Sequence, residues 1–306
     1  MFDIVTVGHF AIDFIKSPNG RISRPTLGGP PTYVSLAAES LGAKASVISK
    51  VGEDFPKSFA TWLEDQGVDL AGLQKMTGAS TTSFVLDYSG GGDRQLILRN
   101  IAPSIQAHDI PDSFEAKIVH LAPIANEIPY NTALQLRAKT GLLSLDPQGF
   151  LRRFSEDGKM HLASIENPEI LSIIDVFKGS QEEITAVTAE SRLARATRSV
   201  YEHGVKIVIV TRGAEGSLVY IEGELYRVPA AKPRIVVDAT GLGDVFMGAF
   251  LAEYVRGREP LWGASVGSSC ASFVIEEIGP SGFGSQKEVY ERASQVYDKI
   301  SPASTA

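Results

Sequence analysis

The apolar positions of the chain fall into short β-branched runs separated by longer stretches with helical periodicity. Strands are predicted at the short runs, which span residues 4–8, 45–52, 117–121, 142–146, 173–177 and 206–211. Helices are predicted between them, near residues 32–41, 55–66, 127–139, 166–172 and 181–203. Regular alternation of strands and helices is typical of a mainly parallel sheet with helices on both faces. The pattern therefore predicts an α/β fold.

Two segments depart from this alternation. Residues 9–26 mix turn residues with isolated apolar positions, and residues 81–100 form two β-rich runs joined by a glycine-rich turn at 89–93. We expect these segments to pair into a small separate sheet that acts as a lid and excludes water. A surface hairpin without a closing role explains the same pattern. On the first interpretation, residues 1–306 form one domain whose β lid spans about 10–27 and 79–101.

The C-terminal third places a β-branched run, a glycine-rich turn and a long apolar stretch in succession. The run at 235–237 predicts a buried strand, the turn spans 238–244, and a helix is predicted from 245. A glycine-rich turn that enters a helix presents unpaired backbone N–H groups, which suit a phosphate or a developing negative charge. Asp244 stands at that helix start. It is either a helix-capping acid or a base that takes a proton from a hydroxyl group.

The remaining C-terminal pattern is regular. Two short strands at 217–221 and 225–229 predict a hairpin, and helices are predicted near 260–277 and 286–299.

Composition limits the function classes. The 306 residues are 43% hydrophobic and 21% charged, as in ordinary soluble globular proteins, and the net charge of −7 argues against a nucleic-acid surface. No apolar run reaches a membrane-spanning length, so we expect a cytoplasmic protein without a membrane partner. The single cysteine, Cys270, excludes an internal disulfide and is expected in the core. The five histidines lack metal-ligand spacing.

Three motifs occur in a fixed order along the chain. They are Gly28-Gly29 before a helix, the segment T-R-G-A-E-G at 211–216, and D-A-T-G-L-G-D at 238–244. Together they resemble the motifs of the ribokinase/PfkB family of carbohydrate kinases, and the resemblance covers nearly the whole chain. It implies a ribokinase-like three-layer α/β/α sandwich with a small β lid. It also implies an ATP-dependent phosphotransferase that uses Mg²⁺, while activation by a monovalent cation such as K⁺ stays open.

The resemblance assigns roles to individual residues. Asp244 would be the general base, and the backbone amides of Gly241, Leu242 and Gly243 would complete the anion hole with it. Leu242 stands where the family usually has alanine. Substrate-binding positions correspond to Asp13, Gly28, Gly29, Tyr33, Arg99 and Asp146; Tyr33 occupies a position where the family usually has asparagine.

On the donor side, the nucleotide-binding positions are Ser180, Thr211, Gly213, Gly216, Gly241 and Gly243. Ser180 replaces the asparagine of the family's N-x-x-E motif, and Glu183, its glutamate, would bind the metal through water. Family members often dimerise through the lid, which implies a homodimer.

The sequence indicates the acceptor less specifically than it indicates the family. K-G-S-Q-E-E at 178–183 and D-P-Q-G-F-L-R at 146–152 are similar to motifs of the myo-inositol kinase branch, which favours a cyclitol. Ribose, fructose, ketodeoxygluconate and nucleosides stay open. For Asp146 and Arg99 a purely structural role explains the sequence equally well, and for Arg152 an exposed helix position is favoured over phosphate binding.

Two other function classes fit the sequence less well. A dinucleotide-dependent oxidoreductase is disfavoured because Phe246 stands where the third glycine of G-x-G-x-x-G belongs. A non-catalytic sugar or nucleotide sensor on the same scaffold is disfavoured by Asp244 and its flanking glycines.

Overall fold

The structure is a computed structural model that describes residues 1–17, 19–88 and 95–303. The turn predicted at 89–93 lies outside the described residues. The strands in chain order are β1 (Phe2–Val7), β2 (Ala11–Lys16), β3 (Thr26–Gly28), β4 (Ala45–Gly52), β5 (Asp69–Met76), β6 (Ser83–Asp87), β7 (Gln95–Asn100), β8 (Ala116–Leu121), β9 (Thr140–Leu145), β10 (Arg152–Phe154), β11 (Met160–Leu162), β12 (Val176–Ser180), β13 (Ile207–Thr211), β14 (Ser217–Ile221), β15 (Glu224–Val228) and β16 (Ser301–Pro302).

The α-helices cover both faces of the central sheet. They are α1 (Pro30–Ser40), α2 (Lys57–Asp65), α3 (Tyr130–Ala138), α4 (Gln148–Leu151), α5 (Gln181–Thr188), α6 (Leu193–Glu202), α7 (Leu242–Tyr254), α8 (Pro260–Val274) and α9 (Gln286–Tyr297). Within the described ranges, none of the helices combines the length and the apolar character needed to cross a bilayer.

The central sheet is mainly parallel, as the alternation of elements predicts. Within the described ranges its strand order is β16-β15-β14-β13-β12-β9-β8-β1-β4-β5, and the strands from β13 to β5 pair in parallel. Neighbouring residues of β1 face opposite layers: Ile4 packs in the cluster with α1, α7, α8 and α9, and Val5 in the cluster with α3 and α6. The predicted three-layer α/β/α sandwich is confirmed.

The order of the strands creates a crevice between β1 and β8. The chain leaves β1 for β4 and β5 on one side, and then returns to β8 on the other side of β1. In open parallel sheets, ligands bind outside the carboxyl ends of the strands at such a reversal of strand order. The segments that follow β1 and β8 are therefore placed beside a binding site.

A second sheet, here called the small sheet, covers this crevice. Its strand order is β3-β2-β6-β7, so residues from both departing segments of the sequence pair with each other. Buried side chains of this sheet, Ala11, Phe84, Leu86 and Leu96, form a separate cluster with Ile124, which follows β8. The hairpin of β10 and β11 lies against the outer strand, β7, through an isolated bridge between Ile97 and Lys159.

Several sequence-based expectations were wrong in detail. The strand expected at 173–177 lies at β12, because Asp175 ends the preceding turn by accepting hydrogen bonds from Arg137 and from the Leu143 N–H. β5, the β10–β11 hairpin and the β16 edge strand were not predicted. Cys270 lies in the core, as expected, and burial raises the pKa of its thiol to about 12.

Candidate active site

Helix α7 begins at the glycine-rich turn, and the backbone N–H groups of its first turn point out of the N-terminal end of the helix. Gly241 caps the helix with φ +72°, in the left-handed region that favours glycine. A Cβ atom at Gly241 would lie 2.5 Å from the ring of Tyr33, so this turn also needs the absence of a side chain. Within the described part of the chain, the backbone N–H groups of residues 241–244 have no protein acceptor. This helix start, here called the anion site, can therefore donate hydrogen bonds from its amides to an anion.

Asp244 lies in the first turn of α7 and borders a cavity of about 110 Å³. Its Oδ1 atom accepts a hydrogen bond of 3.2 Å from Gln148 Nε2. Burial and the charge of Asp146 raise the pKa of Asp244 to about 7, although the cations Lys178 and Arg152 lower it. A carboxyl group with a pKa near neutrality is suited to accept a proton from a hydroxyl group.

An ion pair lies beneath the anion site. Lys178 Nζ is 2.6 Å from Asp146 Oδ2, and the two side chains are 7% and 1% exposed. Burial alone would lower the pKa of Lys178, but the carboxylates of Asp146, Glu183 and Asp244 raise it, so the lysine is charged. Its Nζ also lies so close to Gly243 that a Cβ atom there would be 2.6 Å away. Gly243 therefore leaves room for a buried cation under the helix start.

The cavity beside Asp244 has an apolar wall on the side of the small sheet, and polar residues complete its lining. The small sheet contributes Phe84, Leu86 and Leu96, and Ile124 follows β8. Its full lining is Ala11, Asp13, Gly29, Pro30, Tyr33, Phe84, Leu86, Leu96, Ile124, Gln148, Arg152, Thr240, Gly241 and Asp244. Asp13, Gly29 and Tyr33, which the family resemblance assigns to the substrate, therefore lie in one cavity with Asp244.

Asp13 owes its position to a neighbouring glycine. Asp13 lies in β2 and is 8% exposed, while Gly28 lies on the paired strand β3. A Cβ atom at Gly28 would be 2.0 Å from Asp13 Oδ2, so Gly28 makes the space for this carboxylate. Gly29 has φ +85°, and a Cβ atom there would lie 2.4 Å from the His9 carbonyl oxygen. Both glycines are therefore required by close approach.

The donor-side residues lie over the neighbouring strands β12 and β13. Ser180 and Thr211 end these strands and face each other in register, and the Thr211 hydroxyl donates to the Gly179 carbonyl oxygen at 3.4 Å. Gly213 has φ +55° and Gly216 has φ +86° in the turn that follows. None of these four donor-side residues lines the cavity, so these positions, which the resemblance assigns to the donor, are separate from those it assigns to the acceptor.

Ser180 and Glu183 already contact each other. The Ser180 hydroxyl accepts from the Glu183 N–H at 3.1 Å, and Glu183 Oε2 accepts from the Ser180 N–H at 2.7 Å. This capping box stabilises the start of α5. Burial and the charge of Asp146 raise the pKa of Glu183.

The prediction of a buried strand at 235–237 is wrong. Ile235, Val236 and Val237 lie outside any strand and are 59%, 71% and 46% exposed. The outer edge of β15 is already paired with β16, and the segment is held instead by hydrogen bonds from Val237 and Asp238 N–H to the Ile275 carbonyl oxygen. Three apolar side chains therefore stand in solvent just before the anion site.

Three of the residues assigned to the substrate lie outside the cavity wall. One of them is Gly28, which makes the space for Asp13. Arg99 is exposed, and its guanidinium stacks over Phe14 at 5.0 Å from the ring centroid. Asp146 lies under the site in its ion pair rather than in the cavity.

From the sequence, Gln148 and Lys178 entered only as members of the two motifs that resemble the myo-inositol kinase branch, without roles of their own. For Arg152 an exposed helix position was favoured.

The carboxylates of the site fit a hydrated metal better than a protein cage. In the described residues, no three His, Cys, Asp or Glu side chains converge to hold a metal ion. The carboxyl groups of Asp146, Glu183 and Asp244 interact electrostatically with one another and with the cation Lys178. Mg²⁺ keeps several waters and binds through one or two carboxylates plus substrate phosphates, and this group of carboxyl side chains suits such a hydrated ion.

Comparison with known proteins agrees with this geometry. The description "pfkB family carbohydrate kinase" matches residues 1–287. Cytidine kinase of Thermococcus kodakarensis is 31% identical over 264 residues, which cover 84% of this chain and 90% of that protein. Inositol 3-kinase of Oryza sativa subsp. japonica is 27% identical over 311 residues, covering 96% and 73% respectively.

A solved structure described as a sulfate complex of a pyrophosphate-dependent kinase in the ribokinase family superposes with a TM-score of 0.81 at 26% identity. It covers 94% of this chain and 99% of that one. The motifs, the fold and the match over residues 1–287 lead to one conclusion: the chain belongs to the pfkB family of carbohydrate kinases.

Proposed function

We propose that the protein transfers the γ-phosphate of ATP to a hydroxyl group of a small acceptor, with Asp244 as the general base. The observation that carries the proposal is the position of Asp244. It borders the cavity and shares the first turn of α7 with the amides of residues 241–244, which have no protein acceptor in the described chain. An anion site and a base are thus within one helical turn.

The hydrogen bonds of Asp244 suggest how the proton moves. Oδ1 is held by Gln148, so Oδ2 takes the proton of the acceptor hydroxyl group. The acceptor oxygen forms a bond to the γ-phosphorus as the bond from that phosphorus to the β,γ-bridging oxygen breaks and ADP leaves. The amides of residues 241–244 receive the charge of the transferred group. Mg²⁺, bound through water near Glu183, would neutralise part of the charge of the donor phosphates.

A nucleoside is the acceptor that the cavity wall favours. Asp13 can accept hydrogen bonds from two neighbouring hydroxyl groups of a ribose. Phe84, Leu86, Leu96 and Ile124 then offer an apolar wall for a base. The free volume of about 110 Å³ is small for such a ligand, so the small sheet moves outward to admit it. The similarity to a cytidine kinase supports this choice.

A cyclitol such as myo-inositol is the second candidate. Gln148 and Arg152 add polar groups to the cavity, and they belong to the D-x-Q-x-x-x-R motif that resembles the myo-inositol kinase branch. The similarity to an inositol 3-kinase supports this candidate. A ring with a hydroxyl group on every carbon, however, would leave several of them against the apolar wall, which is costly without partners.

The donor side favours a nucleotide over pyrophosphate. The exposed side chains of Ile235, Val236 and Val237 precede the anion site, and the base of a nucleotide can cover them. Pyrophosphate has no apolar part that could do so.

A panel of acceptors and donors tests the proposal. Phosphoryl transfer is measured for cytidine, other nucleosides, myo-inositol, ribose, fructose and ketodeoxygluconate, each with ATP and with pyrophosphate in the presence of Mg²⁺. We expect the highest kcat/KM for a nucleoside with ATP. Higher kcat/KM for myo-inositol would replace the nucleoside by the cyclitol, and binding without turnover of any acceptor would contradict the kinase assignment. The homodimer through the small sheet is tested separately by sedimentation.

A further inference from the structure

The β10–β11 hairpin is attached to the outer edge of the small sheet. The Leu98 N–H donates to the Gly158 carbonyl oxygen at 2.9 Å, beside the bridge between Ile97 and Lys159. The Phe154 and Phe84 ring centroids are 6.1 Å apart. The hairpin thus extends the small sheet beyond β7 and packs on its buried cluster.

Gly158 makes this attachment possible. Its φ is +78°, and a Cβ atom on it would lie 2.5 Å from the Leu98 carbonyl oxygen. Any side chain at this position would push the hairpin away from β7.

The other end of the same hairpin reaches Asp244. Arg152 is the first residue of β10, and its Nη2 donates to Gln148 Oε1 at 2.6 Å. Arginine can only donate, so the oxygen of the Gln148 amide faces Arg152 and its NH₂ group faces Asp244. Gln148 Nε2 then donates to Asp244 Oδ1 at 3.2 Å. A continuous series of contacts therefore runs from the edge of the small sheet to the proposed base.

We propose that this hairpin couples the position of the small sheet to the orientation of Asp244, with Arg152 and Gln148 as positioning residues. The inference rests on the proposed function, because it takes Asp244 as the base. The small sheet carries Asp13 and much of the apolar wall, so an acceptor bound in the cavity fixes the sheet and, through the hairpin, Arg152. Gln148 then holds Oδ1 and directs Oδ2 to the acceptor hydroxyl group. When the sheet moves outward, this support of Asp244 is lost.

A pair of glycine variants isolates the coupling. Gly158→Ala and Gly223→Ala both place alanine at a positive φ in a hairpin turn, +78° and +85°, but a Cβ atom at Gly223 would have no neighbour within 4 Å. Backbone strain is therefore matched, and only Gly158→Ala disturbs the attachment. We expect Gly158→Ala to lower kcat for phosphoryl transfer about tenfold, as misplacement of a catalytic group does. Gly223→Ala should keep the kcat of the unchanged protein.

Two further readouts separate coupling from general damage. Arg152 lowers the pKa of Asp244, so its withdrawal moves the acidic limb of the kcat–pH profile to higher pH. We expect Gly158→Ala and Arg152→Met to shift this limb in the same direction. If the hairpin acts through Arg152, the double variant Gly158→Ala/Arg152→Met should have the same kcat as Arg152→Met alone.

Three results would overturn the coupling: equal kcat for Gly158→Ala and Gly223→Ala, independent effects in the double variant, or an unshifted pH profile in Gly158→Ala. Phe154→Ala, which removes the contact with Phe84, repeats the test if Gly158→Ala does not fold. Asp244→Asn separates the two proposals. Full turnover of Asp244→Asn would contradict the proposed role of Asp244 as the base. Loss of turnover in Asp244→Asn together with an unchanged kcat in Gly158→Ala would contradict only the hairpin coupling.

Discussion

The two sides of the α7 start are built differently. On the acceptor side, Phe84, Leu86 and Ile124 are 4%, 4% and 3% exposed and pack against one another without a ligand. On the donor side, Ile235 and Val236 are 59% and 71% exposed. The apolar wall of the acceptor cavity is thus already formed, whereas the apolar residues of the donor side lose contact with water only when a ligand covers them.

This difference separates the functions of the two sides. Side chains that are packed in the free protein contribute to folding and fix the shape of the acceptor cavity. Exposed side chains contribute little to folding, and they contribute to donor affinity if the donor covers them. Substitutions on the acceptor side or beneath the anion site should therefore change kcat, pH dependence and stability, and substitutions on the donor side should change mainly KM for the donor.

Asp244→Asn gives the largest expected effect. The amide has nearly the shape of the carboxylate but cannot take the proton, so kcat should fall about 10³-fold, within the range for loss of a general base. KM for the acceptor and for ATP should change little, because neither wall is altered. Steady-state kinetics on protein with an unchanged thermal transition measures this. A kcat close to that of the unchanged protein would show that another group takes the proton.

Lys178→Met tests the charge beneath the anion site. It leaves the carboxylate of Asp146, 1% exposed, without its 2.6 Å partner. Removal of one member of a buried ion pair costs about 3–5 kcal/mol of unfolding free energy, measured by chemical denaturation. The double variant Lys178→Met/Asp146→Asn should recover much of that stability but not kcat, because the cation under Gly243 is still missing. Full recovery of kcat would reduce Lys178 to a structural partner of Asp146.

The pH dependence of kcat sharpens the electrostatic argument. The pKa of Asp244 is raised to about 7, so the ionised base is lost as the pH falls through 7 and kcat should fall with it. The charge of Asp146 contributes to that rise. Asp146→Asn should therefore lower the pKa of Asp244 and move the acidic limb of the kcat profile to lower pH. If the acidic limb of the kcat profile does not move in folded Asp146→Asn, the pH dependence of kcat comes from a group other than Asp244.

A comparison of β1 with the 235–237 segment shows which parts of the fold could be predicted from the sequence. Ile4, Val5 and Val7 in β1 and Ile235–Val237 are similar β-branched runs, and both suggested buried strands. β1 has parallel partners on both sides, whereas the outer edge of β15, which precedes 235–237 in the chain, is occupied by Ser301 and Pro302. A local β-branched pattern predicts a strand. Whether a strand forms also depends on a free edge of a neighbouring strand, and that is decided by pairing between distant segments of the chain.

Within the site, the motif at 238–244 predicted the anion site and Asp244 because backbone geometry there follows from local residues. Asp13 and Tyr33 were predicted through the family resemblance. The contact from Arg152 through Gln148 to Asp244 joins positions that are 96 residues apart at its last step. Periodicity and composition carry no information about such a contact, nor about Lys178 beneath Gly243.

The smallest expected effect concerns the exposed donor side. Val236→Ala removes part of a side chain that is 71% exposed, so the free energy of unfolding should stay within about 0.5 kcal/mol of its original value. If a nucleotide base covers Val236, the lost apolar contact should raise KM for ATP about threefold, with kcat unchanged. Leu134→Ala, at a position 40% exposed on α3, is the control and should leave KM for ATP unaltered. Equal KM values for both variants would show that the donor does not cover the 235–237 segment. The open side would then need only to bind phosphates, and a donor without a base, such as pyrophosphate, would fit it as well as ATP.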